Sequence, residues 1–325
     1  MQVAIIGLGE VGRCYAKSLH ASGVHLRLCV ARPSEAANAM ASAWGIPVHS
    51  APGPWLAQAD WVLSCVPGAQ ALPVAEQAAA HMSRGAGFAD LSTASPALKR
   101  AAADTAAERG IRYVDTAIMG AISLNGVRTP LLAAGGAAQE FQTVIAQAGG
   151  KVQVIEGGAA GDAISLKILR SVFTKGMEAL AVEMLISAEK QGVREALYAQ
   201  LRDIDQTPLR SFIDMLVRTH VVHAKRRAHE VHDAQQELAA QGLPSQVLPG
   251  VEQRFLATAS SLERHPLATP DPDLDQALQW LLATSAADAG PDSASPGVRV
   301  VPPNACTSAS MRASPQIPPD MAGIL

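Results

Sequence analysis

Aromatic residues are scarce in this sequence: Phe, Tyr and Trp make up 4% of its 325 residues. With 48% of the chain hydrophobic, the filling of any core falls to Ala, Leu and Val. Positive charge is not in excess; 26 Lys and Arg face 29 Asp and Glu, for a net charge of −3. That balance excludes a generic nucleic-acid binder, whose affinity rests on a basic surface. Cysteine is sparse and dispersed at Cys14, Cys29, Cys65 and Cys306, with no Cys-x-x-Cys spacing. Two of these lie in apolar, strand-like runs, where a free thiol behaves as a small hydrophobe. A reduced, cytoplasmic setting fits this usage. Long apolar runs are missing as well. Nothing approaches the roughly 18 residues needed to cross a membrane, and Val3 to Leu8 is too short, and too poor in basic flanks, for a signal core. The expectation is a soluble protein with no membrane or nucleic-acid partner.

What is present is an alternation. Strand-like runs at Val3–Ile6, Leu26–Val30, Trp61–Val66, Gly87–Ala89, Tyr113–Asp115, Pro130–Ala133 and Val152–Ile155 are separated by Ala-rich segments such as Glu10–Ser22, Ser34–Ala43 and Ser95–Arg109. That βαβ rhythm predicts a Rossmann-type, doubly wound α/β fold with a mostly parallel sheet. Gly23, Gly45 and Gly110 stand where a helix-closing glycine belongs. After Gly161 helical periodicity takes over to about Thr284, broken near Pro208, Gly242-Leu243-Pro244 and Pro270–Pro272. The predicted organisation is a dinucleotide-binding domain over residues 1–157, an all-helical substrate and dimerisation domain over 158–285, and a Pro-, Ser- and Ala-rich tail over 286–325. Such a tail buries too little apolar surface to offset its ordering entropy, so disorder is expected there.

The stretch Val3 to Gly12, VAIIGLGEVG, carries Gly7, Gly9 and Gly12 in the G-x-G-x-x-G spacing, after a strand and at the start of a helix. In that context each glycine serves a separate need. Gly7 permits a tight turn, Gly9 lets the backbone approach a pyrophosphate, and Gly12 allows close helix–strand packing. The pyrophosphate would sit on the positive end of the following helix. About 20 residues further on, an NAD site usually offers an acid to the ribose. Here the chain reads Val30-Ala31-Arg32-Pro33-Ser34, with no acid until Glu35. Arg32 with Ser34 suits a 2′-phosphate, so NADP(H) is expected over NAD(H), which stays possible; the alternative is Arg32 as a solvated surface charge.

Four separated motifs give the chain its resemblance to the β-hydroxyacid dehydrogenases, relatives of 6-phosphogluconate dehydrogenase. They are GLGEVG itself, the segment Ala59 to Pro67 (ADWVLSCVP), Asp90 to Pro96 (DLSTASP), and Gly158 to Ser171 (GAAGDAISLKILRS). The resemblance spans roughly residues 2 to 190 and implies hydride transfer between a nicotinamide and a small hydroxy acid or its oxo counterpart. It implies Lys167 as catalytic residue. Gly7, Leu8, Gly9, Glu10, Val11, Gly12, Ala31, Arg32, Ser34, Cys65, Val66 and Pro67 would hold cofactor. Ser92, Thr93, Gly120, Ala121, Arg170, Ser171 and Lys175 would meet a carboxylate substrate. Two departures stand out: Met119 occupies the place of the family's carboxylate-binding serine, and Ser171 that of its asparagine. The remainder is similar to a subgroup with its own C-terminal helical domain, through which a homodimer is expected.

On a helical wheel Arg170, Ser171, Thr174, Lys175 and Glu178 share an arc with Lys167, while Leu166, Ile168, Leu169, Val172, Phe173, Met177, Ala179 and Leu180 fill the opposite one. An ordinary surface helix gives the same pattern. If the polar arc faces the cofactor, Arg170 and Lys175 would press the Lys167 amine towards its free form, and Lys175 would pair with Glu178. Ser95 suits the N-cap of its helix better than Ser92 does, which leaves Ser92 for substrate. His220, His223, His229 and His232 do not converge on one ion from a straight helix, so no metal is expected, and Arg226 with Glu230 reads as a helix ion pair. Arg226 or Arg227 reaching a neighbouring subunit's substrate is the alternative. Two other functions remain open: an imine reductase of the same fold, and a protein that binds NADPH without turning it over.

Overall fold

The computed structural model describes residues 1–288; the expected tail beyond them lies outside the described residues. The order of elements is β1 (Gln2–Ile6), α1 (Glu10–Ala21), β2 (His25–Cys29), α2 (Glu35–Trp44), β3 (Val48–His49), β4 (Trp61–Ser64), α3 (Ala71–Ala79), β5 (Gly87–Asp90), α4 (Pro96–Glu108), β6 (Arg112–Ile118), α5 (Ile122–Asn125), β7 (Leu131–Ala134), α6 (Ala138–Gln147) and β8 (Val152–Val154). Helices follow: α7 (Asp162–Gln191), α8 (Arg194–Gln200), α9 (Arg202–Gln206), α10 (Leu209–Ala240), α11 (Leu248–Arg264) and α12 (Leu274–Asp288). All seven strand-like runs form strands. Sequence patterning missed β3, two residues that edge β2 through Leu28↔Val48 and Cys29↔His49.

The strands form one sheet of order β3-β2-β1-β4-β5-β6-β7-β8. It is parallel except for β7, which runs antiparallel to β6. Both faces are covered, so successive side chains of one strand enter different cores. Val3 and Ile5 of β1 pack with Tyr15 and Leu19 of α1 and Phe141 of α6. Ala4 and Ile6 pack with Ala75, Ala78 and Ala79 of α3 and with Ala102 and Ala106 of α4. Continuous apolar strands are the signature of such two-sided burial. The poverty in aromatics is thus met by alanine faces that bring the helices close to the sheet.

The chain divides into two compact units, residues 1–184 and residue 185 onward. The first contains the sheet and most of α7. In the second, α10 is the centre, packed against α11 and α12, with Val221, Ala224 and Ala228 of α10 and Ala259 of α11 buried. Helix α12 runs on to Asp288, past residue 286 where the tail was expected to begin. Among the described residues no helix is long and apolar enough to cross a membrane.

Candidate active site

The strand order reverses at β1, which lies between β2 and β4. In open α/β sheets the crevice outside the carboxyl ends at such a point receives ligands. The glycine turn and the Cys65–Pro67 segment both leave their strands there. Gly7 has φ +93°, and a Cβ on it would lie 2.6 Å from the Cys65 carbonyl oxygen. A Cβ on Gly12 would meet the Gly7 carbonyl oxygen at 1.8 Å, so α1 is seated directly on the turn. Gly9 differs: nothing lies within 4 Å of where its Cβ would be. It is the N-cap of α1, and no side chain caps the helix. Open space above uncapped amides fits a pyrophosphate, so the residues present suit a dinucleotide. One cation here escaped sequence analysis. Arg13 Nη1 donates to the Leu8 carbonyl at 2.9 Å, which keeps its guanidinium beside the turn.

Leu8 is buried, whereas Glu10 is exposed and Val11 half-buried. At the carboxyl end of β2, Ala31, Arg32 and Ser34 are exposed. Ser34 caps α2, its Oγ accepting from the Ala37 amide at 3.3 Å, and its own proton is left to donate. Arg32 has no ion pair among the described residues. Cys65 is held by Cys65 N donating to Ile6 O at 2.7 Å. Burial foremost, and then Asp90, push its thiol pKa well up, so it is a packing group and not a thiolate. Val66 is half-buried and Pro67 exposed.

The end of β5 and the middle of β6, in register at Asp90 and Asp115, carry a buried polar network. Asp90 accepts from the Ser92 amide (2.8 Å, Oδ1) and from the Tyr113 hydroxyl (2.7 Å, Oδ2). Asp115 Oδ1 accepts from Lys99 Nζ at 2.7 Å, and its Oδ2 from the amides of Gly161 (3.0 Å) and Ile164 (3.1 Å). Both carboxylates are wholly buried and spent on these bonds. Neither is a free acid or base. Ser95 caps α4 through the Leu98 amide at 3.3 Å, as its position predicts. Ser92 is buried, with Oγ accepting from the Ala94 amide at 3.2 Å; Thr93 beside it is exposed. Gly120 and Ala121 are also exposed, and their amides have no partner among the described residues. Lys99 was not singled out in the sequence. Its signal was there: it lies at helical spacing with Ala102 and Ala106, on the face of α4 that turns inward.

Lys167 lies one turn beyond Ile164 on α7 and is half-buried. Its pKa is lowered, first by burial and second by the charge of Lys99. This corrects the expected source of the shift, since Arg170 and Lys175 are exposed and Lys175 is taken up by Glu178 at 2.6 Å. Ser171 is half-buried. The opposite, apolar arc is not packed away as it is in an ordinary surface helix. Leu166, Leu169, Val172, Phe173, Met177 and Leu180 are all exposed, Leu169 at 65% and Val172 at 69%.

In the second unit His220 Nε2 lies 2.8 Å from Thr258 Oγ1, beside the Phe255 ring. Burial and then Arg254 and Arg227 push its pKa down to about 4. His232 meets Glu252 at 3.1 Å. Arg226 pairs with Glu230 as expected, and the buried Arg227 donates to Thr219 Oγ1 at 3.0 Å.

Comparison with known proteins agrees with this geometry. Residues 2–155 match the model of the NAD binding domain of 6-phosphogluconate dehydrogenase, and residues 188–257 match a domain of unknown function. L-threonate dehydrogenase of Cupriavidus necator is 29% identical over 204 residues, covering 60% of this chain and 68% of that protein. A solved conserved protein of unknown function, described as structurally similar to 3-hydroxyacid dehydrogenases, is 27% identical; 87% of this chain and 99% of that one are covered, at a TM-score of 0.57. An imine reductase from Streptomyces aurantiacus shares the fold at 16% identity, with 86% of this chain and 99% of that one covered and a TM-score of 0.65.

Proposed function

This chain belongs, through residues 2–155, to the 6-phosphogluconate dehydrogenase-like NAD(P)-binding family and is an NAD(P)-dependent dehydrogenase or reductase; we propose that it uses NADP(H) to oxidise a small hydroxy acid, or to reduce its oxo counterpart, with Lys167 as general acid/base. The observation that carries this reading is the state of Lys167, half-buried beside Lys99 with its pKa lowered. A lysine serves as a base near neutral pH only when its ordinary value near ~10.4 is brought down.

The nicotinamide, when bound, supplies the hydride acceptor or donor. Lys167 takes the hydroxyl proton of the substrate in oxidation and returns one to the carbonyl oxygen in reduction. Ser92 keeps its hydroxyl proton for a substrate oxygen, because the bond from the Ala94 amide uses only its acceptor side. The unpartnered amides of Gly120 and Ala121 offer donors to a carboxylate. Gly7, Gly9 and Gly12 would seat the pyrophosphate, and Arg32 with Ser34 would hold the 2′-phosphate.

Lys167→Ala tests the assignment. Loss of its proton transfer lowers kcat by about 10²- to 10⁴-fold while NADPH binding stays near wild type; undiminished turnover refutes it. Oxidation needs the free amine and reduction the ammonium, so oxidative kcat/KM falls as pH drops through the lowered pKa. Met119, which brings no hydroxyl, favours a second reading in which the substrate is not a hydroxy acid. NADPH oxidation across a panel of oxo acids and cyclic imines separates the two, and binding without turnover on any of them favours a sensor.

The assembly belongs to the same proposal. The exposed apolar arc of α7 exceeds what scattered surface leucines explain, and a second copy of the chain is its proposed cover, giving a homodimer.

A further inference from the structure

Lys99 is a fully buried lysine that the reaction as described does not touch. Its three ammonium donors are all used: Asp115 Oδ1 at 2.7 Å, the Asp90 carbonyl at 2.9 Å and the Thr116 carbonyl at 3.1 Å. Stability is a poor reason for such an arrangement, because apolar residues of similar volume often replace a buried ion pair without loss. Its location supplies a better one. Lys99 sits at the carboxyl end of β5, where Asp90 lies in register with Asp115 midway along β6; the carboxyl edge is where ligands of open α/β sheets bind. The carboxylate it holds reaches in the other direction to α7, where Asp115 Oδ2 takes the amides of Gly161 and Ile164. Asp115 is therefore the N-terminal cap of the helix that carries Lys167, supplied from a distant strand. A carboxylate at that end also meets the favourable pole of the helix dipole.

We propose that Lys99 and Asp115 form a positioning pair for Lys167: Asp115 pins the first turn of α7 to the sheet edge, and the ammonium of Lys99 makes the neighbouring space hostile to a second positive charge. The inference rests on Lys167 being the acid/base. Charged groups face this region from several elements. Helix α4 brings Lys99 and Arg100, whose guanidinium lies against Gly161. Strand β6 brings Asp115 and β5 brings Asp90, both occupied within the network. On α7 itself Asp162 accepts from the Ala159 amide, and Arg170 is exposed. The one that acts on Lys167 beyond burial is Lys99. Lysine is suited to the post, since its compact ammonium satisfies three acceptors from one point.

The test titrates the Lys167 amine without any substrate. The full-length protein is pulse-labelled with acetic anhydride across pH, and acetylation of the Lys167 peptide is read by mass spectrometry. In wild type, Lys167 labels with a lower midpoint than the pooled surface lysines. Lys99→Met combined with Asp115→Asn removes both charges together, so no unpaired ion is left buried, and Asn retains an acceptor for the α7 amides. In this variant the midpoint moves to higher pH, whereas Lys99→Arg, which keeps the charge, holds it low. An unmoved midpoint in the folded double variant overturns the proposal. So does a shift in Lys99→Arg equal to that of the double variant, or a wild-type midpoint no lower than that of the surface lysines. Retained turnover in Lys167→Ala would fell the acid/base reading alone, since the labelling result does not depend on catalysis.

Discussion

The same substitution at two glycines separates architecture from binding. In Gly12→Ala the new methyl is driven to within 1.8 Å of the Gly7 carbonyl oxygen, a backbone atom that cannot swing aside. Helix α1 must lift from β1, and overpacking of this kind costs about 1–3 kcal/mol, sometimes more. In Gly9→Ala the methyl meets nothing within 4 Å, and φ −67°, ψ −161° is extended backbone that alanine adopts freely. The stabilisation from a less disordered unfolded chain and the loss from a weaker N-cap nearly cancel, leaving stability within about 1 kcal/mol of wild type. That open space is where a pyrophosphate is expected. Displacing it from one backbone amide loses a hydrogen bond to a charged group, about 1.5–3 kcal/mol, or about 10- to 150-fold in Kd. Urea unfolding measures the first quantity, and NADPH fluorescence titration the second. Gly12→Ala is expected to be damaged in both, Gly9→Ala in binding alone. Wild-type NADPH affinity in a folded Gly9→Ala protein would refute the assigned docking face. Equal destabilisation of the two variants would refute the packing account.

Arg32→Ala removes the cation assigned to the 2′-phosphate; KM for NADPH is expected to rise about 10- to 150-fold through loss of a charge-assisted bond, with KM for NADH little changed. A preference for NADH in both wild type and variant sinks the cofactor reading. For the assembly, Leu169→Glu and Val172→Glu alter side chains already exposed in the single chain, so folding by circular dichroism is expected to be preserved. Sedimentation should then report a dimer for wild type and a monomer for the variants, because burying an unpaired carboxylate at an interface is unfavourable by several kcal/mol. A monomeric wild type ends the proposal.

Much of the fold was legible because its signals are local. Buried strands reveal themselves as short continuous apolar runs and helices by a period of 3.6 within a single segment, and closing glycines mark the ends: Gly23, Gly45 and Gly110 all have positive φ. Ser95 was legible for the same reason, since an N-cap acts three residues from itself; the capping of α2 by Ser34 emerged only in the structure. What escaped was relational. Two residues of β3 carry no period, and the antiparallel sense of β7 is fixed by pairing to β6, not by its own composition. Lys99 reads as a surface charge until the packing of α4 turns it inward. Helix α7 shows two faces in sequence, yet nothing in the wheel says which one the sheet takes.

The sequence alone determined the dinucleotide-binding half, because Gly7, Gly9 and Gly12 answer to backbone sterics within a few residues of themselves. It also singled out Lys167 and Arg32. Only the tertiary structure decided what surrounds that lysine. Arg170 and Lys175 are its helical neighbours by counting, but they lie exposed, where water screens them. Lys99 and Asp115 come from other elements and meet beside the carboxyl end of β5, inside the low-dielectric core. Charge acts through distance and burial, and both are set by the order of strands in the sheet.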